Sequence, residues 1–238
     1  MVTDAFVTLG RGQPGGWLFS CEHASRRMPR GYPVSHRDRH LLDTHWGWDI
    51  GAADLTRALC NSMGGGAVFC NFTRLLCDTN RAPGDPTMFL DDTDDGAPSF
   101  NSALDEAERD RRSRRYFHPY HQALARFAAQ RPRLLLSIHS FTPSFRGRAR
   151  TMEAGVLFDR HDPLAHELAL ALAGEGLATA LNEPYSGKDG LIYSAARHGQ
   201  GAGIPYLELE VRQDLIDTRP RAAAVAARVE RALLSCGI

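Results

Sequence analysis

The sequence has no excess of either charge: Lys plus Arg total 28 across its 238 residues, and so do Asp plus Glu. A chain so balanced creates no long-range field that would draw nucleic acid or an anionic membrane surface, so any charge of consequence must be local. Its densest basic run, Arg109 to Arg115, interleaves with Asp105, Glu106 and Glu108 and reads as a solvated helix face. Long apolar runs are also missing. No stretch approaches the roughly 20 residues that span a bilayer, and the first dozen residues lack the charged start and apolar segment of a signal peptide. A cytoplasmic protein without membrane contact is the expectation. Cysteine is scarce and unpatterned: Cys21, Cys60, Cys70, Cys77 and Cys236 show no CxxC spacing and are odd in number, which argues against a zinc ribbon or a disulfide framework. There is no internal repeat, low-complexity tract or linker. With 43% apolar and 24% charged residues, the chain has the composition of an ordinary globular protein, and one domain over residues 1–238 is expected.

What is present is an alternation of strand-like and helix-like segments. Trp17 to Cys21 is a short apolar run after Pro14, Gly15 and Gly16, and it delivers Glu22 and His23 at its end. Trp48 to Met63 carries apolar residues at helical spacing until Gly64, Gly65 and Gly66 stop it. Ala67 to Phe72 is again strand-like, with Leu75 to Asp78 extending or following it. Asn80 to Ser99, rich in Pro, Gly and Asp, reads as a long surface loop of the kind that often carries function. Ser102 and Asp105 resemble a capping box opening a helix to Ala129. Strands at Leu134–Ile138, Gly155–Phe158 and Ile204–Val211 alternate with helices at Asp162–Glu175, Gly190–His198 and Pro220–Ser235. Such alternation predicts an α/β fold, a largely parallel sheet with helices on both faces.

In sheets of this kind ligands bind beyond the carboxyl ends of the strands. Two strands lead there into histidine, His23 and His139, the latter flanked by Ser137 and Ser140. Asp43, His45 and Asp49 lie just before a helix and offer further ligands, although either aspartate could equally be a helix cap. Two histidines and one carboxylate would satisfy a hydrolytic zinc ion, which needs three protein ligands and an open position. Alternation along Pro205–Arg212 puts Glu208, Glu210 and Arg212 on one face, where a carboxylate could serve as general base; a solvated edge strand is the competing explanation. Arg81 stands where a guanidinium could hold a substrate carboxylate. His118 and His121, one helical turn apart, read as satisfied structural residues. Cys21, beside His23, permits a second mechanism, a metal-free thiol hydrolase.

These motifs belong together. Ser20-Cys21-Glu22-His23-Ala24-Ser25, Asp43-Thr44-His45-Trp46-Gly47-Trp48-Asp49, Asp78-Thr79-Asn80-Arg81, His118-Pro119-Tyr120-His121, Ser137-Ile138-His139-Ser140 and Glu208-Leu209-Glu210-Val211-Arg212 resemble, in order and content, the N-formylglutamate amidohydrolase family from about Leu18 to Leu215. The resemblance implies a three-layer αβα sandwich with a mostly parallel or mixed sheet, phosphorylase/hydrolase-like and related to zinc carboxypeptidases. It also implies a divalent metal, zinc by family likeness, and a small N-acyl amino acid as substrate, such as N-formylglutamate. By that likeness His23 and His139 are metal ligands, with Asp43, His45 or Asp49 as the third. Glu208 or Glu210 is the base, with Glu208 taken first, and Arg81 and Arg212 anchor the substrate, with His45 and Ser140 nearby. Arg26 stands three residues after His23, where the carboxypeptidase pattern has Glu. The first motif reads Glu-His-Ala-Ser rather than the Pro-His-Ser-Gly of histidine-degrading deformylases. A ligand-binding domain without catalysis is the remaining alternative.

Overall fold

The computed structural model describes residues 1–237. Strands β1 (Phe6–Gly10) and β2 (Trp17–Cys21), a short helix α1 (Arg39–Asp43), helix α2 (Ala52–Met63) and strand β3 (Gly66–Cys70) come first. Two 3-10 turns, Pro86–Phe89 and Ser99–Asn101, punctuate the loop that follows. Helix α3 (Glu106–Arg112) continues through a π-type turn, Ser113–Phe117, into α4 (His118–Ala128). Then come β4 (Leu134–Phe141), a small hairpin of β5 (Ser144–Phe145) and β6 (Arg148–Ala149), β7 (Ala154–Leu157), α5 (Asp162–Gly174), β8 (Thr179–Leu181), α6 (Tyr193–Ala202), β9 (Tyr206–Arg212) and α7 (Arg219–Ser235).

The seven long strands form one sheet in the order β1-β3-β2-β4-β9-β7-β8. Its centre, β3-β2-β4-β9, is parallel. β1 runs antiparallel to β3, and β7 antiparallel to β9 but parallel to β8. Helices α2, α5 and α7 cover one face, where Phe19, Leu136, Ile138, Leu207 and Leu209 are buried. Helices α4 and α6 cover the other, over Leu18, Val68, Leu135 and Tyr206. The alternation of elements predicts helices on both faces of a largely parallel sheet, and the family resemblance implies the three-layer αβα sandwich with a mixed sheet that is found. No helix among the described residues is long and apolar enough to cross a membrane.

Several boundaries differ from expectation, for physical reasons. β4 does not stop at Ile138: its backbone pairs with β9 as far as Phe141, so His139 lies inside the strand rather than at its end. α2 starts at Ala52, not Trp48. Its N-cap is Gly51, and Asp49 makes no capping bond because its carboxylate is used elsewhere. Asp105, not Ser102, caps α3, accepting from the Glu108 N–H at 2.7 Å. Leu75–Asp78 forms turns rather than a strand. β1 and β8 went unanticipated: β8 has three half-buried residues, and β1 is a half-buried edge strand. One residue of the basic run is not solvated at all. Arg112 is 3% exposed, and its guanidinium donates to the Leu76 and Phe100 carbonyls and to Asn101, pinning the long loop to α3.

Two local features have measurable consequences. Gly51 has φ of 83°, and a Cβ there would lie 2.1 Å from the Ile216 carbonyl oxygen. Gly51→Ala should therefore cost about 2–3 kcal/mol in urea unfolding; an unchanged midpoint would refute the close approach. Between α4 and α6, His121 Nδ1 and His198 Nε2 lie 2.8 Å apart with stacked rings. Burial lowers both pKa values, that of His198 to about 4, with Arg197 opposing a further positive charge on each. A histidine buried neutral contributes stability that is complete above its unfolded pKa of 6.5 and is lost as pH falls towards 4. Wild-type stability should fall across that window more steeply than that of His198→Gln, as read from urea midpoints at each pH.

Candidate active site

Strand register assembles the centre of the site. Side chains alternate, so Leu18, Ser20 and Glu22 on and just beyond β2 face α4, as do Leu135, Ser137 and His139 on β4 and Tyr206, Glu208 and Glu210 on β9. Pairing aligns Ser20 with Ser137, Ser137 with Glu208, and His139 with Glu210. The face that is apolar at one end of the sheet thus turns polar towards the carboxyl ends. Cys21 points the other way, into the core beneath α2, and burial pushes its thiol pKa well up. A thiolate nucleophile paired with His23 is not what this geometry offers.

Two imidazoles meet there. His23 Nε2 lies 2.8 Å from Asp78 Oδ1, and His139 Nε2 lies 3.1 Å from Glu22 Oε2. A carboxylate thus faces each Nε2, and with a cation bound on the other side of the rings each Nε2 would carry the hydrogen and each Nδ1 would present its lone pair. The two Nδ1 atoms face each other at 3.1 Å, and Asp49 Oδ2 lies 2.8 Å from that of His139 and 3.3 Å from that of His23. The Asp49 turn is fastened to the end of β2 by its N–H, which donates to the His23 carbonyl at 2.9 Å.

Three acceptors so close together need a positive charge among them. Their spacings of 2.8, 3.1 and 3.3 Å lie at or somewhat below the roughly 3.3 Å edge expected between ligands of a tetrahedral zinc ion with bonds near 2.0–2.1 Å. The electrostatics agree. Burial disfavours charge on His139, yet Glu208, Asp49 and Glu22 raise its pKa well above the usual value. Burial would likewise raise Asp49, but His23 and His139 hold it well down. The donor set therefore fits a divalent metal, held by His23, His139 and Asp49. His139, Glu208 and Glu210 form an adjoining group of potential ligands.

The surrounding residues are mostly committed. Glu22 accepts from Tyr120 Oη at 2.8 Å and Ser137 Oγ at 2.6 Å. Arg74 donates to Asp78 through Nε and Nη2, and its Nη1 stands 3.6 Å from Asp49. Asn80 donates to Glu208 at 3.1 Å and accepts from the Ser194 N–H at the start of α6. Glu210 differs: its Oε2 is buried without a partner. Burial raises the pKa of Glu208 to about 6 and that of Glu210 to about 8. A cavity of about 280 Å³ opens onto this cluster.

Of the sequence candidates, His23, His139, Asp49, Glu208, Glu210, Arg81, His45 and Ser140 all line that cavity. Asp43 does not: it is exposed at the end of α1 in an ion pair with Arg26, so it supplies no ligand here. Arg212 is also elsewhere, bound to Asp214 and to the carbonyls of Arg150 and Met152. It braces the end of β9 instead of anchoring substrate. Pattern reading missed Glu22, Arg74, Asp78 and Asn80 as functional groups. Continuing the β2 alternation to Glu22 would have placed it beside His139; the others sit on irregular backbone where no periodicity guides placement. A second groove, about 400 Å³, lies on α4 and α6 beside His118, His121 and His198. Arg197 lines it and no carboxylate does, so it is a poor cation site.

The N-formylglutamate amidohydrolase family profile matches residues 15–217. The chain belongs to that family. It is therefore a hydrolase of non-peptide carbon–nitrogen bonds. An Agrobacterium tumefaciens gene product of known structure is 31% identical, with a TM-score of 0.88 over 98% of this chain and 96% of that one. The N-formylglutamate amidohydrolase of Ralstonia eutropha shares the fold at 21% identity, with a TM-score of 0.70 and the same coverage. A bacteriophage poly-γ-glutamate hydrolase shares it more distantly, at 12% identity and a TM-score of 0.52 over 98% of this chain and 90% of that one. No curated protein matched at the sequence level.

For this family member the carboxylate behind each imidazole should matter to metal affinity. Asp78→Asn should weaken zinc binding about 10–100-fold while leaving the fold intact, whereas Asp43→Asn should leave it unchanged. Titration with a competing chelator and circular dichroism decide this; equal affinities in the two variants would remove Asp78 from the site.

Proposed function

We propose that the protein is a metal-dependent amidohydrolase that cleaves the acyl group from a small N-acyl amino acid of the N-formyl type, with zinc as the metal. The observation that carries this reading is the convergence of His23 Nδ1, His139 Nδ1 and Asp49 Oδ2 on one point, with the unpaired Glu210 carboxylate on the same cavity wall. A divalent ion bound by those three residues supplies Lewis acidity towards the amide carbonyl and makes water more acidic.

The chain's own groups supply the rest. Glu210 takes the proton from the attacking water and returns it to the leaving nitrogen. It is preferred over Glu208, the base suggested first by the sequence, because Glu208 is already held by the Asn80 amide while Glu210 has a free oxygen. Arg81 donates to Thr87 through Nε and to the Asn80 carbonyl through Nη1, which fixes its plane. Its Nη2 remains available for the substrate carboxylate. Arg74, spent on Asp78 and Asp49, positions those two carboxylates.

Metal removal by a chelator should abolish hydrolysis, and zinc should restore it. Glu210→Gln should lower kcat about 10²–10⁴-fold with metal content unchanged, while Glu208→Gln should cost less. Full turnover by metal-free protein would falsify the mechanism, and a larger loss in Glu208→Gln would reassign the base.

A further inference from the structure

The cavity that holds the candidate metal site contains two guanidinium groups, Arg74 and Arg81. Their availability is unequal. All three Arg74 nitrogens face Asp78 or Asp49, so its charge is already neutralised by carboxylates of the protein. Arg81 keeps one free edge. His45 adds no cation, because burial lowers its pKa. Among the side chains that line the cavity, Arg81 is thus the one guanidinium not already paired with a protein carboxylate.

Part of the remaining wall is aromatic. Phe141 at the end of β4, Phe145 on β5 and Tyr185 all line the cavity. They gather around one guanidinium, that of Arg150, with ring centroids at 5.5, 5.2 and 5.5 Å from its Cζ. Arg150 is itself tied to Thr142 through Nη1 and does not line the cavity. The three rings thus line the cavity while packing about one fixed guanidinium. Three fixed rings on one side of the cavity are preorganised for an aromatic or aliphatic group, and they offer a carboxylate no hydrogen bond on that side.

We infer that the preferred substrates are N-acyl amino acids with a single carboxylate and an apolar, best an aromatic, side chain seated against Phe141, Phe145 and Tyr185, and not N-acyl dicarboxylates. The inference rests on the amidohydrolase reading above and narrows its substrate class: Arg81 takes the α-carboxylate and the ring wall takes the side chain.

The test is the zinc-loaded protein with N-formylglycine, N-formyl-L-phenylalanine, N-formyl-L-leucine and N-formyl-L-glutamate. N-formylglycine has the scissile bond and the carboxylate without a side chain, so its hydrolysis reports on the amidohydrolase reading alone. The phenylalanine and leucine derivatives should each exceed the glutamate derivative in kcat/KM by about tenfold or more, the scale on which an apolar pocket discriminates. In Phe145→Arg, which places a cation in the wall, the phenylalanine-to-glutamate ratio should fall at least about tenfold. A wild-type ratio at or below one overturns the inference while leaving the amidohydrolase reading in place. No turnover of any of the four overturns both.

Discussion

Five carboxylates, Glu22, Asp49, Asp78, Glu208 and Glu210, are buried around two imidazoles and one committed guanidinium. Buried charges of one sign are tolerated only when they are paired or neutralised. The structure does both. Asp78 is held down by Arg74 and His23, against a burial that would raise it. Glu22 is likewise held down by His139 and by the Ser137 and Ser194 hydroxyls. Burial pushes Glu208 and Glu210 the other way, a shift that the positive charge of a divalent ion beside them would offset. The difference has a physical cause: Glu22, Asp49 and Asp78 each face an imidazole or a guanidinium at close range, whereas Glu208 accepts from the Asn80 amide and Glu210 has an oxygen without a partner.

That difference also explains why the fold is built as it is. A metal-ligating imidazole needs its second nitrogen fixed, and here each fixing carboxylate comes from a different element from its histidine. Glu22 follows β2 and reaches His139 on β4; Asp78, on the loop after β3, reaches His23. The parallel centre of the sheet makes this possible, because β3, β2, β4 and β9 all end on the same side. The irregular loop is then stabilised from behind by Arg112 and Asn101, which satisfy its Leu75, Leu76 and Leu90 carbonyls. A buried arginine in that position serves the site without touching it.

This accounts for which parts could be read from the sequence. β2 and β4 are short apolar runs that lead into histidine, and β9 alternates with period two, so the sequence singles out His23, His139, Glu208 and Glu210, which the fold brings to the wall of one cavity. Asp49 was named together with Asp43 because spacing alone cannot tell which aspartate of a turn faces inward. The decision depends on Gly51, whose positive φ turns the chain from Asp49 into α2, and on the Asp49 N–H bond to His23. Arg212 misled for a related reason. It shares a face with Glu208 and Glu210, but β9 ends there, and its side chain satisfies carbonyls beyond the strand. Arg74 and Asp78 belong to turns, where neighbours are set by tertiary bonds rather than by period.

The groups that would perform the chemistry and those that would choose the substrate come from separable parts of the chain. The metal-site residues lie on the central strands and the turns fastened to them, where shifting one register would turn a whole row of side chains to the opposite face. Phe145 lies instead on a two-stranded hairpin outside the main sheet, and Tyr185 on the connection between β8 and α6. Neither segment takes part in aligning His139 with Glu210. A change of ring or charge in them can alter what fits the cavity without disturbing the imidazoles, since the two sets share only Phe141 at the end of β4.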